Sequence, residues 1–230
     1  MGDLIGFPGE NGEVQGYLAA PIAVGAPGVV VIPEFWGLVP HVTGICDRLA
    51  DQGFLALAPD LYHGKVTSDP EEAGAWMMAM RPADAAKDLS AAVDAAAARS
   101  GGEGVGVVGF CMGGGLAYIA ASVRPDRVAA VVPFYGAIPW PDSEPDYASI
   151  TGAVLGHYAA NDRWATPQLS RDIERQIRAG GNVDVTMHVY PGTEHAFFND
   201  TRPEVYAAQA AALAWERTVA FLRDRLASRR

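Results

Sequence analysis

Cysteine is nearly absent: the 230 residues contain only Cys46 and Cys111. Two such residues suggest no disulfide framework, so the fold must rest on its core. Basic charge is also scarce, with 17 Lys and Arg against 27 Asp and Glu and a formal charge of −10. A field of that sign repels phosphate backbones and argues against nucleic acid as a partner. No apolar run approaches eighteen residues, which argues against a membrane span. Met1 to Gly9 lacks a basic segment, an apolar run and a cleavage site, so no signal peptide is expected and a cytoplasmic location is. No His and Cys cluster has metal-ligand spacing, and Gly109 to Gly115 has neither dinucleotide nor P-loop spacing. Neither a metal nor another cofactor is expected.

What is present is half apolar, and its length suits one α/β domain over residues 1–230. Nearly continuous apolar runs at Gly28 to Ile32, Phe54 to Ala58, Gly104 to Val108 and Val128 to Phe134 read as strands buried on both faces. Ala153 to Tyr158 and Val185 to Tyr190 continue the series. Leu4 to Phe7 and Glu13 to Ala19 straddle Glu10-Asn11-Gly12 and read as an antiparallel hairpin.

Helical spacing fills the gaps. Val42, Ile45, Cys46 and Leu49 share one face, with Gly53 placed to stop the helix. Leu89 and Val93 mark a second helix, Leu169, Ile173 and Ile177 a third, and Trp215, Val219, Leu222 and Leu226 the last. Alternation of this kind predicts an α/β fold with a mostly parallel sheet of about eight strands and helices on both faces. His63 to Arg81 and Pro139 to Ile150 read as irregular insertions, candidates for walls or a lid at the carboxyl ends of the strands.

The most informative segment is Gly109-Phe110-Cys111-Met112-Gly113, between a buried strand and a helix face begun by Leu116, Ile119 and Ala120. This is the glycine–x–nucleophile–x–glycine pattern, with cysteine where serine is commoner. A sharp strand-to-helix turn strains the nucleophile's backbone, and small neighbours relieve the crowding. The helix N-terminus behind Cys111 favours a thiolate. Cys46, on an apolar helix face without that frame, reads as structural.

A thiol nucleophile needs a base, and the base needs an acceptor to orient it. His195 follows the last strand, whereas His157 and His188 fall inside strand patterns, His41 opens a helix and His63 follows a strand. Asp162 follows the preceding strand and completes the order nucleophile, acid, histidine. Asp142 and Asp184 are poorer candidates.

Five segments together resemble the dienelactone hydrolase family of α/β-hydrolases. They are Pro33-Glu34-Phe35-Trp36-Gly37, Ala58-Pro59-Asp60-Leu61-Tyr62, Gly109 to Gly114, Ala159-Ala160-Asn161-Asp162 and Tyr190-Pro191-Gly192-Thr193-Glu194-His195. The resemblance implies hydrolysis of an ester or lactone by a Cys111, His195 and Asp162 triad. It also implies that Glu34 meets the thiol and helps deprotonate it when substrate binds. The backbone N–H groups of Met112 and Phe35 would form the oxyanion hole. Best-known members hold a substrate carboxylate with arginines, one of them four residues after the catalytic histidine. Here that position is Asn199, and Asp69 to Trp76 contains no arginine. Arg81, Arg163 and Arg202 are possible substitutes.

Trp36, Phe198 and Arg81 are expected to bind substrate, and Phe35, Trp76, Met77, Met78 and Met80 to line an apolar acyl pocket. The expected partner is a small-molecule ester or lactone, and the expected state a monomer or weak homodimer. A thioesterase, acyltransferase or dehalogenase-like covalent enzyme on the same scaffold remains an alternative, as does a non-catalytic small-molecule binder.

Overall fold

The computed structural model describes residues 1–102, 104–141 and 143–227. Asp142, weighed above as a carboxylate, and the ends of the proposed 1–230 domain beyond residue 227 lie outside the described residues.

Among the described residues eight strands form one sheet: β1 (Asp3–Gly9), β2 (Gly12–Ala19), β3 (Gly28–Ile32), β4 (Leu55–Pro59), β5 (Val105–Phe110), β6 (Val128–Phe134), β7 (Ala153–Ala159) and β8 (Val185–Tyr190). Their spatial order is β1-β2-β4-β3-β5-β6-β7-β8. β1 and β2 pair antiparallel around the two-residue turn Glu10-Asn11, β2 meets β4 antiparallel, and every later pairing is parallel. β3, β4 and β5 are buried at every residue, which is why their apolar runs do not alternate.

Six α-helices among the described residues cover the sheet: α1 (Pro40–Asp51), α2 (Pro70–Ala79), α3 (Pro82–Arg99), α4 (Met112–Val123), α5 (Pro167–Ala179) and α6 (Ala208–Leu226). The core divides in two across the sheet. Leu89 and Val93 of α3, Leu116 of α4 and Ile173 and Ile177 of α5 fill one side. Val42, Ile45 and Leu49 of α1 and Val219, Leu222 and Leu226 of α6 fill the other. Among the described residues, no helix is long and apolar enough to cross a membrane.

Two expectations shift by a residue. β4 begins at Leu55 because the Phe54 N–H turns back to the Leu49 carbonyl at 3.0 Å, and Gly53 ends α1 with φ +93°. β5 begins at Val105 and runs on to Phe110, delivering the chain directly into the cysteine turn.

A larger correction concerns His63 to Arg81, expected to be irregular: it contains the ten-residue α2. Asp69 caps it by accepting from the Glu71 and Glu72 amides, and Pro70 opens it. Trp76, Met77 and Met80 pack against the core and Ala73 is buried at the same helical spacing, whereas Met78 faces solvent. The start signal and the periodicity were both present, but the run between breakers is short.

His157 is fully buried in β7, as its strand position suggested. Thr218 Oγ1 donates to the Ala214 carbonyl, so it accepts from His157 Nε2 at 3.0 Å; the Tyr190 hydroxyl then donates to Nδ1 at 2.8 Å. Burial, reinforced by His188 and Arg217, holds the imidazole pKa well below 6.5. The folded protein therefore keeps His157 neutral, while the unfolded chain protonates near pH 6.5. Below that pH the unfolded state binds the extra proton, so stability is full above it and declines as pH falls toward the folded pKa. Thermal melts between pH 7.5 and 5 should show this loss, and His157→Gln should flatten it. An unchanged slope in that variant would remove His157 as the cause.

Candidate active site

The site is built at the carboxyl ends of the strands, where successive loops deliver polar groups. Glu34 follows β3, Cys111 follows β5, Tyr135 follows β6, Asp162 follows β7 and His195 follows β8.

Cys111 has φ 54° and ψ −117°, a region that non-glycine residues rarely occupy. Its N–H continues the ladder by donating to the Phe134 carbonyl at 3.0 Å, and its carbonyl accepts from Gly114 and Gly115 at 2.9 and 3.2 Å. The turn is closed so tightly that a Cβ on Gly109 would strike the Gly113 carbonyl. One on Gly113 would strike the carbonyls of Ile32 and Pro33. This is the steric reason for the glycine frame. Met112 begins α4, so its amide is among those a helix leaves unpaired at its start.

Asp162 and His195 meet directly. Asp162 Oδ2 lies 2.6 Å from His195 Nδ1, while Oδ1 accepts from the Trp164 and Ala165 amides at 2.8 and 3.0 Å. The Asp162 side chain has no solvent exposure and that of His195 has 16%. The His195 ring stands edge-on between Tyr135, 5.0 Å away between centroids, and Trp164, 5.3 Å away. Nδ1 is thus committed to Asp162, leaving Nε2 for Cys111. Burial alone would lower the imidazole pKa. The bonds to Asp162 and Cys111, with their negative charges, outweigh it and push the value up to about 10. Those interactions favour the protonated form of the His195 ring. Cys46, by contrast, is sealed on α1 and burial pushes its thiol far up, leaving it inert.

Glu34 is only 2% exposed. Its Oε1 accepts from the Tyr135 hydroxyl at 3.1 Å and its Oε2 from Asn199 Nδ2 at 2.8 Å. Among the described residues no hydrogen bond joins it to Cys111. Burial, joined by the charges of Glu34 and Cys111 and opposed by that of Arg202, holds the Tyr135 hydroxyl pKa well above 10. In this structure the Glu34 carboxylate is held by Tyr135 and Asn199.

The expected substrate-binding residues fare unequally. Phe198 is a core residue, 2% exposed, stacked on Phe110 at 5.4 Å and packed against Phe134 at 4.9 Å. Arg81 is also corrected: its side chain is 79% exposed and pairs with Asp84 at the start of α3. Arg163 is exposed, and Arg202 bonds to Glu204 at 2.9 Å. Trp36 remains half-buried, 4.3 Å from the Phe35 ring between centroids.

Sequence reasoning did not single out Tyr135, Tyr62, Trp140 or Trp164. Tyr62 donates to Met112 Sδ at 3.4 Å and packs edge-on to Trp76 at 5.6 Å. Trp140 Nε1 donates to the Met77 carbonyl at 2.8 Å, tying the loop after β6 to α2. Tyr135 and Tyr62 lie just beyond strand ends, the signal that pointed to Asp162 and His195.

The model of the dienelactone hydrolase family matches residues 14–226. The chain belongs to that family. It is 37% identical to "Protein usf" of Aquifex pyrophilus over 98% of this chain and 100% of the relative. It is 35% identical, over the same shares, to a protein of Aquifex aeolicus named "Putative carboxymethylenebutenolidase". Among solved structures, a Klebsiella pneumoniae protein described as a "Putative Dienelactone Hydrolase" superposes with a TM-score of 0.85. That pair is 26% identical and covers 96% of this chain and 97% of the other. This dienelactone hydrolase family member is a hydrolase of lactone or ester bonds on the α/β-hydrolase fold.

Proposed function

We propose that the chain acts as one α/β-hydrolase domain cleaving a small-molecule ester or lactone, with Cys111 as nucleophile, His195 as acid and base, and Asp162 as its orienting partner. The observation that carries this reading is the strained Cys111 at the head of α4, next to a His195 ring held by Asp162 at 2.6 Å. Trp36, at the mouth of the β3 loop, is the substrate-contacting residue retained from the expected set.

The proton on His195 Nε2 comes from the thiol. The thiolate attacks the carbonyl carbon, and the amides of Met112 and Phe35 receive the developing oxyanion. The carbon–oxygen bond then breaks as His195 returns its proton to the departing alkoxide or enolate, leaving an acyl thioester on Cys111. Acylation removes the thiolate charge, one of the interactions that raise the His195 pKa, so the imidazolium becomes a readier acid when the leaving group needs one. His195 next takes a proton from water; the hydroxide attacks the thioester, and the thiol is released with the acid product. Glu34 assists thiol activation from its buried place beside Tyr135.

The test is a panel of aryl esters, lactones and thioesters on purified protein, with mass spectrometry of the quenched reaction. A covalent acyl adduct should appear on the peptide containing Cys111 and disappear as product forms. Turnover with no adduct on that peptide under any quench, together with retained activity after alkylation of Cys111, would refute the assignment.

A further inference from the structure

A buried carboxylate is costly unless donors occupy its oxygens. Glu34 meets that requirement with two neutral groups, Tyr135 on Oε1 and Asn199 on Oε2. Neither donor is free to turn. Asn199 Oδ1 accepts from the Thr201 amide at 3.0 Å and the Thr201 hydroxyl at 2.6 Å, so only its NH₂ can face Glu34. Tyr135 is fully buried with φ 39°, its N–H donating to the His157 carbonyl at 2.7 Å. A bulky aromatic residue in that left-handed conformation is strained, and such strain persists where surrounding structure requires it. Here the strained backbone directs one tyrosine ring edge-on to His195 while its hydroxyl reaches Glu34.

We propose that Tyr135 and Asn199 are positioning residues for the hydrolysis, a pair of neutral donors, oriented in part by Thr201, that act through Glu34. They hold one negative charge beside Tyr135, with no cation hydrogen-bonded to it among the described residues. The charge is thereby fixed in place before substrate arrives. This rests on Cys111 being the nucleophile.

The distinguishing measurement is a set of paired backgrounds. Tyr135→Phe, Asn199→Ala and the surface change Thr201→Val are each made in the native chain and in Glu34→Gln. Steady-state rates on a neutral aryl ester are followed from pH 5 to 9, with the rate of Cys111 alkylation by iodoacetamide beside them. In the native chain, Tyr135→Phe and Asn199→Ala should each lower kcat by about tenfold, the loss of one hydrogen bond to a charged group, with KM changed less than about twofold. Thr201→Val should give a smaller loss in the same direction. The acidic limb of kcat/KM should move to higher pH, because a carboxylate stripped of a donor holds its proton more tightly. In the Glu34→Gln background all three changes should cost less than about twofold, since the group they act through is gone.

Equal losses in both backgrounds, or an unmoved acidic limb, would show that Tyr135 and Asn199 only support the fold and would overturn the proposal. So would native rates in Tyr135→Phe and Asn199→Ala. Failure of the underlying mechanism shows separately, as turnover in the native chain that survives complete alkylation of Cys111.

Discussion

Replacing Cys111 with alanine should lower kcat by on the order of 10³-fold or more while leaving the melting temperature close to that of the native chain. The size follows from what is lost. In the proposed mechanism no acyl-enzyme forms without the thiolate, and only binding and the Met112 and Phe35 amides would remain to favour the transition state. The fold should tolerate the change because Cys111 contributes only a small, half-buried side chain. Its strained backbone at φ 54° is set by the β5–α4 turn, not by the sulfur. Cys111→Ser is the informative companion. An alcohol gives up its proton far less readily than a thiol, so the charge pairing that pushes the His195 pKa up to about 10 should be much reduced. The serine variant should therefore be slow, with a His195 that titrates at lower pH by NMR. A serine variant of native activity, or a His195 titration unaltered by the exchange, would contradict the thiolate–imidazolium pair.

A substrate carrying a free carboxylate should be hydrolysed more slowly than its neutral isostere, by about 2–5 kcal/mol in kcat/KM, roughly 30- to several-thousand-fold. The position four residues after His195 is Asn199, whose NH₂ is already bonded to Glu34. Of the other basic candidates, Arg81 pairs with Asp84 in solvent and Arg163 is exposed, while Arg202, whose charge reaches the Tyr135 hydroxyl, is bonded to Glu204. A second anion would also meet the Glu34 charge, which no hydrogen-bonded cation offsets among the described residues. Trp76 and Met77 on α2 and Met80 just past its end, with Phe35 and Tyr62, instead offer an apolar surface joined to the core that Met112 and Cys111 enter. The decisive comparison is kcat/KM for an acid and its methyl ester-capped analogue on the same protein. A clear preference for the acid, abolished by changing Arg81, Arg163 or Arg202 to alanine, would show that one of them anchors a carboxylate after all.

Local pattern determined much of this protein. Continuous apolar runs could only be strands covered on both faces, and their alternation with helical spacing predicts the parallel sheet that β3 to β8 form. The glycines around Cys111 were legible because a sharp turn requires them whatever the rest of the chain does. His195 and Asp162 followed from their places after β8 and β7, where loops open on one edge of the sheet. What tertiary structure alone decided were the directions of side chains and the partners they found. Glu34 and Asn199 are 165 positions apart, and Glu34 and Tyr135 are 101 apart, so no local spacing could couple them. Phe198 lies three residues after His195 yet turns into the aromatic core, because the chain between them passes through Ala196 at φ 66°. A sequence run records which groups are available near a strand end. Whether a given group faces the pocket or the core depends on a few backbone angles, and those are set by packing against elements far away in the chain.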